Sequence, residues 1–211
     1  MFFLGMRIAI FGDINGEYLW LRRLLKKTGR DGVDMRICHG DITGKRITPN
    51  LEQSRYCIDL LIQHGVYCLR GNHEDEILSS HNPKYDDVKD FFRDKPSQVR
   101  VDDLEFMVSH RSPLGKFTVN PSLKEFAYLE SQDPIRIAIF GHSHMRYIHS
   151  LDGTMVPRYS PRKNRPYDVS EGLHLVNTGT TNIGFPISFN LLPGYVLYDA
   201  EEKSITFRGL I

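Results

Sequence analysis

The sequence predicts a mixed α/β fold containing βαβ units, and three observations predict it. Short apolar strands alternate with amphipathic helices through the first third. The last third is mostly strand-like. One hexapeptide, Arg-Ile-Ala-Ile-Phe-Gly, stands at 7–12 and again at 136–141. Two copies do not make a repeat protein, but they suggest two similar half-units packed so that their strand ends converge.

The elements follow in order. The first strand, Arg7 to Phe11, ends at Gly12-Asp13. Glu17 to Thr28 sets Tyr18, Leu21, Leu24 and Leu25 on one helical face, with Lys26 and Lys27 in the last turn and Gly29 as the stop. A second strand, Met35 to Cys38, ends at Gly40-Asp41. A helix through Tyr56 to Gln63 stops near Gly65, and a third strand, Val66 to Leu69, ends at Gly71-Asn72-His73-Glu74. Asp86 to Arg93 reads as a short helix. Gln98 to Val101 and Leu104 to Val108 read as strands about the Asp102-Asp103 turn, the second ending at Ser109-His110. Pro121 to Ser131 is a further helix, and Ile135 to Phe140 a strand ending at Gly141-His142-Ser143-His144. Leu173 to Val176, Tyr195 to Tyr198 and Ser204 to Arg208 complete the strands. The stretch 154–171, rich in Pro, Arg and Lys, reads as a long basic loop and not as a linker, so residues 1–211 are read as a single domain.

Composition narrows the class. Hydrophobic residues at 40% and charged residues at 25% support a packed core. Lys+Arg of 27 against Asp+Glu of 26 argues against a globally basic nucleic-acid binder. No apolar run approaches the ~18 residues of a membrane span, and the apolar start, Met1 to Gly5, is too short for a signal-peptide core. Cys38, Cys57 and Cys68 are odd in number and lack Cys-x-x-Cys spacing. They read as small buried apolar residues of a protein in a reducing, cytoplasmic compartment.

Five strand ends carry candidate ligands: Asp13, Asp41, Asn72, His110, and His142 with His144. In open α/β sheets, sites form beyond the carboxyl ends of the strands. Glycine beside most of these residues lets the backbone turn sharply. Carboxylate, amide oxygen and imidazole together suit Mn, Fe, Zn or Ni better than Ca or Mg. A strand-end Asp can bridge two such cations, which clamp the attacking and leaving oxygens of phosphoryl transfer. Each piece alone is weak, because Gly-Asp is most often a turn. Gly71-Asn72-His73-Glu74 is stronger, since a turn needs neither His nor Glu. The ordered combination is what is specific. No P-loop, dinucleotide fingerprint or Gly-x-Ser-x-Gly elbow competes with it.

The order Gly-Asp, Gly-Asp, Gly-Asn-His-Glu, Ser-His, Gly-His-Ser-His resembles the calcineurin-like metallophosphoesterases, from Arg7 to about Arg208. The tail Asn177-Thr178-Gly179-Thr180 and the hairpin after it look most like the small branch of YfcE-type phosphodiesterases and Vps29. The resemblance implies a two-sheet mixed β-sandwich flanked by helices, with a dinuclear site at one edge. It implies Asp41 as bridging ligand, Asp13 and His144 on the first metal, and Asn72, His110 and His142 on the second. His73 would serve the leaving group. The implied reaction is hydrolysis of a phosphomonoester or phosphodiester by a metal-bound hydroxide, with two divalent ions, manganese foremost. Small phosphorylated molecules, nucleotides or dinucleoside polyphosphates among them, are the implied substrates.

One position departs from the pattern. The family's first motif is usually Asp-x-His, and this chain has Asp13-Ile14-Asn15. Asn15 offers an amide oxygen, a weaker donor than imidazole, so the first site is expected to bind its metal less tightly, to take water in place of that ligand, or to prefer a harder ion. A Vps29-like scaffold is the alternative this raises. Arg146, two residues after His144, is the candidate substrate contact, with Arg162 of the basic loop, which would either lid the site or move freely in solvent. Lys45 and Arg46 could meet substrate phosphate, but Lys and Arg after a turn are usually solvated; His64, His81, His149 and His174 have no motif context and read as surface or packed residues. For His39 a packed or surface role outweighs a place beside the ligands.

Overall fold

The computed structural model describes residues 5–44, 51–114, 123–151, 158–159, 163–181 and 193–210. In chain order the elements are β1 (Arg7–Phe11), α1 (Tyr18–Arg30), β2 (Met35–Cys38), α2 (Leu51–Gln63), β3 (Tyr67–Cys68), α3 (Asn72–Leu78) and α4 (Asp86–Phe92). There follow β4 (Gln98–Val101), β5 (Phe106–Ser109), α5 (Leu123–Glu130), β6 (Ile137–Phe140) and β7 (Arg146–Leu151). The chain ends with β8 (Arg158–Tyr159), β9 (Pro166–Asp168), β10 (Leu173–Thr178), β11 (Gly194–Asp199) and β12 (Ser204–Gly209).

Two six-stranded mixed sheets result, as the family resemblance implied. Their orders are β3-β2-β1-β11-β12-β9 and β4-β5-β6-β10-β7-β8. The repeated hexapeptide supplies the third strand of each. In β1, Ile8 and Ile10 face the other sheet while Ala9 and Phe11 face the helices. In β6, Ile137 and Ile139 face the other sheet while Ala138 and Phe140 face α5. Strands covered on both faces read as unbroken apolar runs, which is why the alternation is invisible in the sequence. Each fully buried Ile or Phe here contributes on the order of 1.5–3 kcal/mol.

Helices α1, α2 and α4 cover the outer face of the first sheet through Leu21, Leu24, Leu61 and Phe92. Helix α5 covers the second sheet through Phe126 and Leu129. β1, β2 and β3 run parallel, as do β5, β6 and β10. Their carboxyl ends therefore gather at one edge.

Several expectations need correction. Helix α1 runs through Gly29, and the left-handed residue that turns the chain is Gly32, with φ +63°. Helix α2 starts at Leu51, earlier than the periodicity indicated. Gly71-Asn72-His73-Glu74 is the start of α3 and not merely a turn. The stretch 154–171 is not one long loop. β8 pairs with β7, and β9 pairs with β12 at the sheet edge, three strands from β1. Tyr167 packs edge-on against Phe207 with centroids 6.4 Å apart, and the Arg165 guanidinium lies 5.9 Å from the Tyr167 ring. The described part of that stretch thus belongs to the sheet edge.

Candidate metal centre

The predicted ligands lie beyond the carboxyl ends of β1, β2, β3, β5 and β6. Five of them hold left-handed backbone: Asp13 (φ 51°), Asn15 (53°), Asp41 (50°), His142 (66°) and His144 (59°). Non-glycine residues rarely adopt this conformation, and clusters of them mark sites where geometry is held against strain.

The second half of the expected ligand set converges on one atom. His110 Nε2 lies 3.0 Å from Asn72 Oδ1, 3.1 Å from His142 Nδ1 and 3.3 Å from Asp41 Oδ2. A neutral imidazole nitrogen has one proton or one lone pair to offer, so it cannot satisfy three acceptors. Lone pairs facing each other in a buried space repel unless a cation lies among them. The donor set therefore fits a divalent metal. Asp41, His110 and His142 offer ligand atoms within 4.8 Å of one another, and so do Asp13, His39 and His110.

Asp13, fully buried, anchors the other half. Its Oδ1 lies 3.2 Å from His144 Nε2, and its Oδ2 accepts the His142 backbone N–H at 3.0 Å. Asn15 is held beside Asp41 by its backbone, donating to the Asp41 carbonyl at 2.9 Å. Its side-chain Nδ2 is buried with no partner among the described residues.

His39 is buried, but beside the ligands, the place that the sequence reading ranks below a packed or surface role. Its Nε2 meets Thr178 Oγ1 at 2.9 Å and Asp13 Oδ2 at 4.0 Å. The ring sits between the terminal glycines of the two hexapeptides. A Cβ on Gly12 would lie 2.2 Å from the ring, and one on Gly141 2.1 Å from it. Both copies of the hexapeptide end in glycine around the same histidine.

Bracing residues were not legible as such. Glu74 accepts from the backbone N–H of Asp41 (2.8 Å), Thr43 (2.9 Å) and Gly71 (2.8 Å), and from Thr43 Oγ1 (2.9 Å). One buried carboxylate thus joins the loops after β2 and β3. Asn177 Nδ2 donates to the Gly141 carbonyl and to Ser143 Oγ, while Thr180 and Thr181 hydroxyls donate to the carbonyls of Asp13 and Gly12. The Asn-Thr-Gly-Thr-Thr strip laces the ligand loops of both sheets. His73 donates its backbone N–H to Asp41 Oδ1 at 3.0 Å. Its Nδ1 meets the Thr43 carbonyl at 3.0 Å, and Nε2 lies 3.4 Å from Asp41 Oδ2.

Burial works against the charge on Asp13 and Asp41, but neighbouring histidines outweigh it. The His144 hydrogen bond holds Asp13 well below the usual carboxylate range, and the His110 hydrogen bond lowers Asp41. Burial pulls His39 and His142 down to about 4. For His110, burial opposes protonation, yet the Asp41 carboxylate raises it. Glu74 is pushed up by burial and by the Asp41 charge. Ionised Asp13 and Asp41 thus lie beside the neutral imidazoles of His39 and His142, the protonation states that metal ligation requires.

Arg146 opens β7 with its side chain across Gly179, reaching Gly194 of β11. Its Nε and Nη2 are buried without a partner among the described residues, and burial brings the guanidinium down to about 10. Arg162, Lys45 and Arg46 lie outside the described residues. A recess of about 230 Å³ opens beside Asn72 and His110, and Arg70, Ser109 and Arg111 also line it.

The chain belongs to the calcineurin-like phosphoesterase superfamily: residues 6–202 match its domain. No curated protein matches the chain. Among solved structures, a metallophosphoesterase from Sphaerobacter thermophilus aligns at TM-score 0.75 with 20% identity, over 97% of this chain and 88% of that one. The E. coli phosphoesterase YfcE aligns at 0.53 with 16% identity, over 98% and 100%. Vps29 from Chaetomium thermophilum aligns at 0.51 with 13% identity, over 96% and 83%. At these identities the likeness is one of fold. Among the described residues no helix is long and apolar enough to cross a membrane.

Proposed function

We propose that this chain is a metal-dependent phosphoesterase that hydrolyses a small phosphomonoester or phosphodiester at two divalent cations, manganese foremost. The observation that carries the reading is the crowding of Asp41, Asn72 and His142 around His110 Nε2. Asp13 and His144, with Asn15 beside them, would hold the first cation. Asn72, His110 and His142 would hold the second, and Asp41 would bridge. When bound, such cations supply Lewis acidity at phosphoryl oxygens and lower the pKa of water.

His73 serves the leaving group in this reading. The Thr43 carbonyl can only accept, so Nδ1 carries a proton and Nε2 is the atom left to exchange one. Arg146 is the proposed contact for a substrate oxyanion, supported by a guanidinium that no carboxylate neutralises among the described residues. Nucleotides and dinucleoside polyphosphates are the proposed substrates, and the cytoplasm, which would keep the three buried thiols reduced, is the proposed compartment.

The test is hydrolysis of an aryl phosphomonoester and an aryl phosphodiester by metal-stripped protein resupplied with Mn²⁺. Turnover is expected, and the ratio assigns phosphatase or diesterase. Asp41→Ala and Asn72→Ala should each lower turnover by at least ~100-fold while leaving the fold intact. Full turnover in either variant overturns the ligand assignment. Asn15, with its unpartnered Nδ2, supports a second reading, a Vps29-like scaffold. Under it neither substrate turns over with any metal, and Asn15→His restores nothing.

A further inference from the structure

Helix α1 carries five cations, Arg22, Arg23, Lys26, Lys27 and Arg30, and no carboxylate. Four of them, Arg23, Lys26, Lys27 and Arg30, form one row at i, i+3, i+4 and i+7, about 10 Å long. Neighbours at these spacings face each other, and like charges there repel. The row lines a groove of about 400 Å³ between α1 and the end of β12, closed on the other side by Lys163 and Asn164. Among the described residues Asp31 is the one acidic residue in the lining, and it is already engaged. The Tyr195 hydroxyl donates to it, Lys27 Nζ lies 3.8 Å away and Arg208 Nε 3.9 Å away. Arg23 stacks over Trp20 at 4.6 Å, and among the described residues Arg23, Lys26 and Arg30 make no ion pair. A chain with a formal charge of only +1 has thus concentrated cations in one concave place.

We propose that this groove is a second, anion-binding site, separate from the metal centre, that takes a short chain of linked phosphoryl groups. A row of cations along one wall with a lysine on the opposite wall suits an extended polyanion better than a single phosphate. Among the described residues the lining carries no aromatic ring, so there is no platform on which nucleic-acid bases would stack. That favours a phosphate chain of small-molecule size over a single-stranded nucleic acid. The chemistry is shared by inorganic polyphosphate and by the phosphate tail of a nucleotide.

The experiment is calorimetric titration of the full, metal-stripped chain with sodium tripolyphosphate at low ionic strength, so that turnover plays no part. Binding is expected to weaken steeply with added salt. Lys26→Glu with Arg30→Glu should weaken it by at least ~20-fold. Asp41→Ala should leave it within about twofold, since that carboxylate lies at the other site. Lys26→Gln with Arg30→Gln, which removes charge without adding any, should give an intermediate loss at an unchanged melting temperature. ATP in place of tripolyphosphate separates the two sources: equal affinity assigns the groove to the phosphate chain alone, tighter binding to a nucleotide, and either supports the site. No binding by the wild type, full binding by the charge-reversed variant, or loss in Asp41→Ala instead overturns the proposal. So does far tighter binding of an eight-nucleotide RNA through the same lysine and arginine.

Discussion

Glu74 binds four donors on two loops with one carboxylate, so its removal reaches further than one contact. Leaving a buried donor unsatisfied costs about 1–3 kcal/mol. Glu74→Ala should therefore destabilise by at least ~3 kcal/mol and lower the melting temperature by roughly 10 °C, read by calorimetry. Asp41 is also released, so affinity for Mn²⁺ should fall at least ~10-fold, as an equivalent loss does when outer partners of metal ligands are removed. Glu74→Gln keeps one acceptor and should fall between. A variant with wild-type melting and wild-type Mn²⁺ affinity would show that the brace is dispensable. His39 makes a different point. Its ring has no motif of its own, and its place follows only from what surrounds it.

At the scale of elements, the two copies of the hexapeptide end against His39, and their glycines are the reason they can. Gly141→Ala would set a Cβ 2.1 Å from the ring and 2.4 Å from Asp13 Oδ2. The expected loss is about 1–3 kcal/mol, from a clash that neither backbone nor buried ring can relieve. Manganese binding should suffer with it, because Asp13 is displaced. Asn177 holds the loop after β6 through Gly141 and Ser143, and its own carbonyl oxygen accepts from the Gly179 N–H at 3.0 Å. Asn177→Ala should weaken Mn²⁺ binding about 10-fold while leaving α1 and α2, on the other sheet, protected from hydrogen exchange. Uniform loss of protection would instead mean that Asn177 holds the whole sandwich.

The whole molecule stores these histidines in a state that acid opposes. His39 and His142 are lowered from 6.5 to about 4 by burial. Between those values the unfolded chain binds protons that the folded chain refuses, so stability falls as pH drops from 6.5 towards 4. His110, raised by Asp41, works the other way: its contribution is present below 6.5 and is lost as pH rises through its folded value. Asp13 and Asp41, held low, contribute above about 3.8 and are lost only below it. Two lowered histidines against one raised carboxylate, Glu74, predict that the melting temperature of metal-stripped protein rises from pH 4 to 6.5. A flat profile over that interval would contradict the buried neutral imidazoles. His39→Gln should flatten it in part.

Much of this protein was determined by local sequence alone. Apolar strands ending in Gly-Asp, Gly-Asn-His-Glu, Ser-His and Gly-His-Ser-His are signals within a few residues, because strand pattern and turn chemistry are short-range. They sufficed to name Asp13, Asp41, Asn72, His110, His142 and His144, and the structure brings these side chains together at one sheet edge. Helix α3 escaped because its start is capped by Glu74 from within a segment that reads as a turn. The edge strand β9 escaped because Pro and Arg disguise three paired residues. The tertiary structure alone decided the rest: the seat of His39 between Gly12 and Gly141, the brace of Glu74 across to Thr43, and the cationic groove between α1 and the Lys163 turn. Each joins residues 27 or more positions apart in sequence. Only the packing of two sheets and their helices sets which of them meet, and no local pattern encodes that distance.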